Sequence, residues 1–213
     1  MFTGIVQATC KVINIETKAG LKTFEVALTP ELTEGLVVGA SVANNGVCLT
    51  VTQMRDNIVL FDVMEETLTV SNLGDLVAGD WVNIERSLKY GTEIGGHILS
   101  GHIHTQANVI EISHTDQHYN IHLGVEKKWM DYIFYKGFIG INGCSLTVGE
   151  VTKDSFWLHL IPETLHITNL SDLKVNGHVN IEIDSQTQVI VDTVAKIMAK
   201  QQAQTLDLSK QAD

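Results

Sequence analysis

Short runs of β-branched and aromatic residues, separated by turn signals, dominate most of the chain. Thr23-Phe24-Glu25-Val26-Ala27-Leu28, Ile58-Val59-Leu60-Phe61-Asp62-Val63 and Trp81-Val82-Asn83-Ile84-Glu85 each predict a strand. Asp56-Asn57, Ala78-Gly79-Asp80, Lys153-Asp154 and Asn176-Gly177 supply turns between such runs. Several short strands in a unit of under about 100 residues predict a small antiparallel barrel, which closes its own hydrogen-bonding edges. Glu66-Thr67-Leu68 and Glu163-Thr164-Leu165 each predict a short helical turn. From Gln188 to Gln202 the period changes. Ile190, Val194, Ile197 and Met198 recur at helical spacing, with no Gly or Pro. A free helix of about 15 residues is marginal in water, so this stripe needs a partner. Its own barrels and a second subunit are both open to it.

The pattern is written twice. A shift of 97 positions lays Gly46-Val47-Cys48-Leu49-Thr50-Val51 on Gly143-Cys144-Ser145-Leu146-Thr147-Val148, and Glu66-Thr67-Leu68 on Glu163-Thr164-Leu165. The same shift pairs Asn72-Leu73 with Asn169-Leu170, Asp75-Leu76 with Asp172-Leu173, Val82-Asn83-Ile84-Glu85 with Val179-Asn180-Ile181-Glu182, and Gly4 with Gly101. One offset through separated blocks means two homologous domains, at residues 1–97 and 98–187, followed by a helix and tail at 188–213.

Composition narrows the function classes. The formal charge is -11, with 14 Lys+Arg against 25 Asp+Glu, whereas a nucleic-acid binder needs a basic face for phosphates. The same acidity opposes binding to anionic membranes. No apolar run approaches the roughly 20 residues of a membrane span. The start, Met1-Phe2-Thr3-Gly4-Ile5-Val6, has no signal-peptide pattern. Cys10, Cys48 and Cys144 are odd in number and form no C-x-x-C pair, which predicts neither a disulfide framework nor a zinc site. A reduced, cytoplasmic protein is expected.

No familiar catalytic signature is present; G-x-S-x-G, Walker, H-E-x-x-H and G-x-G-x-x-G motifs are all missing. The repeated Asn-Gly-x-[Cys/Ser]-Leu-Thr-Val block is more informative. Asn-Gly makes a tight turn into a strand. Leu and Val then face the core, while Cys48 and Thr50, or Ser145 and Thr147, point the other way. Small polar groups beside a glycine turn suit a flat heterocycle; a hairpin kept only for folding is the other reading. The halves differ where Phe2 meets Leu99, Ile5 meets His102, Cys48 meets Ser145 and Asp62 meets His159. A duplicated scaffold with unlike polar groups can hold two like molecules in two unlike environments.

The chain resembles the riboflavin synthase α-chain family. The resemblance rests on Met1-Phe2-Thr3-Gly4-Ile5-Val6-Gln7, on Gly39 through Val51, on Ile94-Gly95-Gly96-His97 and on Ser100-Gly101-His102. Tyr135-Lys136-Gly137-Phe138-Ile139-Gly140, Leu160-Ile161-Pro162-Glu163-Thr164-Leu165 and Val179-Asn180-Ile181-Glu182-Ile183-Asp184 extend it over residues 1–200. It implies an all-β fold of two homologous six-stranded antiparallel β-barrels in tandem plus a C-terminal α-helix. It further implies a homotrimer, with each active site between the N-terminal barrel of one subunit and the C-terminal barrel of its neighbour. The implied reaction transfers a four-carbon unit between two 6,7-dimethyl-8-ribityllumazine molecules, giving riboflavin and 5-amino-6-(ribitylamino)uracil with no cofactor and no metal. Association with a lumazine synthase is a further implied partner.

The resemblance also assigns residues. An N-barrel pocket would use Gly4, Ile5, Val6, Ser41, Cys48, Leu49, Thr50, Asp62, Val63, Met64, Glu65, Glu66 and Thr67. A C-barrel pocket would use Gly101, His102, Ile103, Lys136, Ser145, Leu146, Thr147, His159, Leu160, Ile161, Pro162, Glu163 and Thr164. Phe2, Ser41, Cys48, Asn83, His97, His102, Lys136 and Asp184 are the expected catalytic set, with the Phe2 ring beside the pteridine. His97 and His102 would handle protons, Lys136 would stabilise negative charge, and Cys48, Ser41 or a water would add to the ring.

Two rival classes share the scaffold. A lumazine- or flavin-binding antenna protein would bind without catalysis, but here both Cys48-Leu49-Thr50 and Ser145-Leu146-Thr147 are intact. A tandem oligonucleotide-binding barrel would want basic grooves and exposed aromatics, against 6% aromatic content and the acidic charge. The helical stripe generates a first prediction. Deleting residues 187–213 should leave both barrels folded, dissociate the assembly and abolish most activity; sedimentation of an intact trimer after the deletion would refute it.

Overall fold

The computed structural model describes residues 1–115 and 119–210. Each half is a closed six-stranded barrel. The first contains β1 (Ala8–Lys18), β2 (Leu21–Ala27), β3 (Ser41–Asn44), β4 (Val47–Arg55), β5 (Ile58–Met64) and β6 (Trp81–Arg86), in the order β1-β2-β5-β4-β3-β6. The second contains β7 (Thr105–His114), β8 (Tyr119–Gly124), β9 (Phe138–Ile141), β10 (Cys144–Val151), β11 (Ser155–Leu160) and β12 (His178–Ile183), in the corresponding order. All pairings are antiparallel. A short helix α1 (Pro30–Thr33) lies in the first half. The helical turns expected at Glu66 and Glu163 are α2 (Glu65–Val70) and α3 (Pro162–Ile167).

Alternation along the strands fills each barrel. Val12, Val26, Val51, Val59, Phe61, Val82 and Ile84 are buried in the first, and Val109, Ile121, Leu123, Val148, Phe156, Leu158, Val179 and Ile181 in the second. Closure leaves no free sheet edge in either.

The barrels meet through six asparagines that the repeat supplies in pairs. Asn83 Nδ2 donates to the Asn142 carbonyl at 3.0 Å, and Asn180 Nδ2 donates to the Asn45 carbonyl at 2.9 Å. The Asn169 amide donates to Asn83 Oδ1 at 2.7 Å, and the Asn72 amide to Asn180 Oδ1 at 2.6 Å. Asn45 Oδ1 accepts from the Asn83 amide, and Asn142 Oδ1 from the Asn180 amide. Buried amides are costly unless partnered, and here they partner one another across the interface. The turns carrying Asn45 and Asn142 touch back to back: a Cβ on Gly46 would stand 2.6 Å from the Gly143 nitrogen.

The C-terminal helix, α4 (Ser185–Lys210), starts three residues before the expected Gln188 because Asp184 caps it. Asp184 Oδ2 accepts from the Thr187 amide at 2.9 Å and the Thr187 hydroxyl at 2.7 Å. The first turns are tied to the second barrel. His104 Nδ1 accepts from the Ile183 amide, His104 Nε2 meets Gln188 Oε1 at 3.2 Å, and Tyr132 donates to Asp192 at 2.6 Å. Val189, Ile190, Val194, Ile197 and Met198 are all at least half exposed, so within one chain the stripe is uncovered. Positions 211–213 of the expected tail lie outside the described residues.

The close turn contact predicts a stability difference between two glycines of similar backbone. Gly143 (φ +79°) has Gly46 atoms within 2.7 Å of a built Cβ, whereas Gly20 (φ +80°) has open space. Gly20→Ala should cost about 1–2 kcal/mol from the left-handed backbone alone. Gly143→Ala should lower the melting temperature well beyond that. Equal shifts in thermal unfolding would show that the barrels give way freely at this contact.

Candidate functional site

The Asn-Gly turns set the register that builds the two mouths. Asn45 (φ +46°) and Gly46 (φ +83°), like Asn142 (φ +44°) and Gly143 (φ +79°), are left-handed in succession, as a two-residue hairpin turn requires. Leu49 and Val51, and Leu146 and Val148, then point inward and are buried. Cys48 and Ser145 are half-buried, and Thr50 and Thr147 are exposed on the opposite face.

The segments that lead into each barrel are exchanged, so they lie beside other strands than the expected pockets group them with. The Ser145 amide donates to the Gly4 carbonyl at 2.8 Å, and the Cys48 amide donates to the Gly101 carbonyl at 2.8 Å. Val6 is buried in the core of the second barrel, while Ile103 packs on the core of the first. Gly4, Ile5 and Val6 therefore belong with Ser145, and Gly101, His102 and Ile103 with Cys48. Sequence order grouped each segment with the strand that follows it; the chain instead crosses before entering the barrel. Both contacts require glycine, since a Cβ on Gly4 or Gly101 would come within 2.5 Å of the Ser145 or Cys48 Cβ. Buried carboxylates hold the crossings. Glu85 accepts from the Thr3 amide and hydroxyl and the Gly4 amide at 2.7–3.0 Å, and Glu182 does the same for Ser100 and Gly101. Burial pushes the Glu85 carboxyl above its ordinary range, while these donors and the chain's amino terminus pull it back.

The C-terminal mouth carries the stronger acid–base geometry. His97, in the linker between barrels, is buried, and its Nδ1 lies 2.6 Å from Ser145 Oγ. Its Nε2 is buried and has no hydrogen-bond partner among the described residues. Burial lowers its pKa, and the charge of nearby Asp184 opposes that. Burial therefore favours the neutral imidazole, the form able to accept a proton. His97 stacks on Phe138, with ring centroids 5.2 Å apart and planes at 18°.

On the outer side, His159 bridges Asn120 Oδ1 at 2.7 Å and Glu150 at 3.1 Å. A backbone hydrogen bond, then the bond to His159 and more weakly the charges of His159 and Lys136, hold the exposed Glu150 below its ordinary pKa. Lys136 has a left-handed backbone (φ +65°) at the place of Gly39 (φ +88°), and its ammonium lies 5.2 Å from the Tyr135 ring centre. Leu160 is buried, Ile161, Pro162 and Glu163 are exposed, and Thr164 is half-buried.

The N-terminal mouth is built from different groups. Ser41 pairs with Thr50 across β3 and β4, and Cys48 pairs with Ala43. Asp62 accepts from Thr23 at 2.7 Å where the second barrel has His159 and Asn120. Val63 is buried, Met64, Glu65 and Glu66 are exposed, Thr67 is half-buried and His102 is exposed. Burial pushes the thiols of Cys10 and Cys144 up to about 11 and about 12 and makes them poor nucleophiles. Cys48 is the half-buried thiol and lies at the mouth.

Three residues of the expected catalytic set are also held in structural contacts. Phe2 is 1% exposed and packs with Ala43 and Leu99 between the barrels, against Cys48 and beside Gly101 at the base of the N-terminal mouth. Asn83 is locked in the asparagine network, and Asp184 caps α4 beside His97. Sequence reasoning missed Phe138, which the 97-residue shift places opposite Ser41. A cleft of about 890 Å³ between Ile5, Gly95, the Glu31–Gly35 loop and Arg86 holds Ile5 alone of the expected site residues.

The lumazine binding domain pattern matches the chain twice, at residues 3–87 and 100–184. The chain is 54% identical to a riboflavin synthase of Escherichia coli over 200 residues, covering 93% of this chain and 94% of that one. It is 41% identical to a riboflavin synthase of Chlamydia pneumoniae, covering 93% and 98%. Among solved structures, LumP complexed with riboflavin superposes with a TM-score of 0.80 at 27% identity, covering 87% of this chain and all of that one. LumP complexed with 6,7-dimethyl-8-(1'-D-ribityl) lumazine gives 0.79 at 25%, with the same coverage. The two matched domains and the full-length likeness together mean that the chain belongs to the riboflavin synthase family.

Proposed function

We propose that the chain is a cytoplasmic transferase that converts two molecules of 6,7-dimethyl-8-ribityllumazine into riboflavin and 5-amino-6-(ribitylamino)uracil. The observation that carries this reading is the pair of like barrels with unlike mouths. One presents Cys48, Ser41 and His102; the other presents Ser145 backed by His97. The antenna reading has support only from the more distant LumP structures, while full-length relatives at much higher identity are synthases.

The chemistry suits such a pair. The C7 methyl of the lumazine is conjugated with an electron-poor ring, so its proton leaves to a delocalised carbanion without a metal or coenzyme. The Ser145–His97 pair is placed to take that proton, a step that positioned groups accelerate by about 10²–10⁴-fold. The second lumazine needs addition at C7, for which Cys48, Ser41 or a water held by them is suited. Holding two rings face to face supplies roughly 7–11 kcal/mol by orientation.

Both mouths are open within one chain, since Thr50, Met64, Thr147 and Ile161 are exposed. A second mouth must cover each. The uncovered stripe of α4 is the surface on which copies assemble, and the reading is a homotrimer whose sites join an N-terminal mouth to a neighbour's C-terminal mouth. A lumazine synthase, which makes the substrate, is the natural further partner.

Mixing the protein with the lumazine should produce riboflavin absorbance; ligand binding without that product would leave the antenna reading standing. Cys48→Ser should keep part of the turnover, because Ser145 shows that a hydroxyl fits the sibling place. It should lose far more if the thiol is the nucleophile, and single-turnover riboflavin formation separates the two. Phe2→Ala should lose about 3–5 kcal/mol of stability, because it empties a buried site between the barrels. If that variant melts like the wild type but turns over slowly, Phe2 acts on the ligand after all.

A further inference from the structure

We infer that Phe138 is a positioning residue of the C-terminal mouth: its ring covers His97, keeps it from water and holds it on Ser145. This rests on the reading of that mouth as the place of proton removal. Three observations carry it.

The first is contact. The Phe138 ring lies parallel to the His97 imidazole at 5.2 Å and 18°, a stacked geometry that fixes the imidazole plane. With the ring in that plane, His97 Nδ1 lies 2.6 Å from Ser145 Oγ. The second is asymmetric exposure. Phe138 is 53% exposed, whereas the His97 it covers is 7% exposed. A half-exposed phenyl on the outer side of a strand adds little to the barrel core, and its inner neighbours Ile139 and Ile141 carry the packing. The third is the repeat. The strand partner of Phe138 is Thr147 on β10, and the equivalent pair in the first barrel is Ser41 with Thr50. The first barrel therefore has a hydroxyl where the second has a phenyl ring. The mouth suited to addition keeps a hydrogen-bonding hydroxyl, and the mouth suited to deprotonation has an apolar cover. The substitution sets the two halves apart as strongly as Cys48 against Ser145 does.

The groups around His97 fix the expected pH behaviour. Asp184 at the start of α4 is the charged group that acts on it, Ser145 on β10 holds Nδ1, and Phe138 on β9 covers the ring. Burial is the larger influence and lowers the pKa of His97. Removing the cover admits water, so the pKa rises toward the ordinary value of about 6.5. Turnover needs neutral His97, so the acid limb of kcat moves to higher pH.

The test uses the full-length protein and compares Phe138→Ser, which installs the first barrel's residue, with Phe138→Tyr, which keeps the ring. Riboflavin formation is followed across pH 5 to 9, alongside thermal unfolding. Phe138→Ser should fold, lower kcat about tenfold or more with a smaller change in KM, and shift the acid limb upward. Phe138→Tyr should restore both the rate and the limb. A Phe138→Ser enzyme with the wild-type acid limb, or a Phe138→Tyr enzyme as slow as Phe138→Ser, overturns the assignment. If Phe138→Ser fails to fold, the tyrosine comparison with His97→Gln decides: Phe138→Tyr must keep the wild-type limb and His97→Gln must lose it, and any other outcome overturns the assignment. A wild-type chain that makes no riboflavin defeats the proposed function itself, a result distinct from either.

Discussion

The structure depends on two turns that touch. Asn45-Gly46 and Asn142-Gly143 meet so closely that neither glycine has room for a Cβ, and the six asparagines around them share their hydrogen-bonding groups across the contact. Such a network is all or nothing: satisfied it fixes one geometry, and half satisfied it would cost more than an apolar seam. Because the same turns set the register of β4 and β10, the contact that joins the barrels also fixes Cys48 and Ser145. The relative placement of the two mouths is thus decided at the seam, and the groups at each mouth are free to diverge.

Divergence has run along that freedom. The repeat keeps the six seam asparagines, the glycine pairs Gly4/Gly101 and Gly46/Gly143, and the carboxylates Glu85 and Glu182, all of which serve the seam or the crossings. It changes Cys48 to Ser145, Ser41 to Phe138 and Asp62 to His159, all of which face outward at the mouths. The scaffold is symmetric where geometry is at stake and asymmetric where chemistry is. A reaction between two identical molecules needs that separation, since identical surroundings would give neither ring a distinct role.

Much of this was legible in the sequence. The strands at Thr23, Ile58 and Trp81, the helical turns at Glu66 and Glu163, the burial of Leu49 and Leu146 and the outward Thr50 and Thr147 all follow from period and turn chemistry, which are local. What was not legible is what depends on chain path. Nothing in the spacing of Gly4 and Gly101 says that each leads across to the other barrel before its own strand begins. Phe2 reads as a candidate stacking ring, and the sequence gives no sign of its burial between the barrels against Cys48. Asn83 reads as a polar site residue, and nothing local shows that Asn45, Asn142 and Asn169 in the adjacent turn and the other half are its partners. The shift did point to Phe138 against Ser41, but a phenylalanine in a strand gives no sign of a histidine 41 positions away lying beneath it.

The crossing of the lead-in segments also bears on how the protein is made. The strand whose amide Gly4 meets, at Ser145, is synthesised 141 residues after Gly4. At roughly 5–20 residues per second the wait is on the order of ten seconds. Throughout it the first barrel can close but its leading segment has no place to dock, and Val6 stays in water until the second core exists to receive it. Translation therefore imposes an order: the Gly4-Ile5-Val6 segment, made before either barrel, settles only after the second one forms.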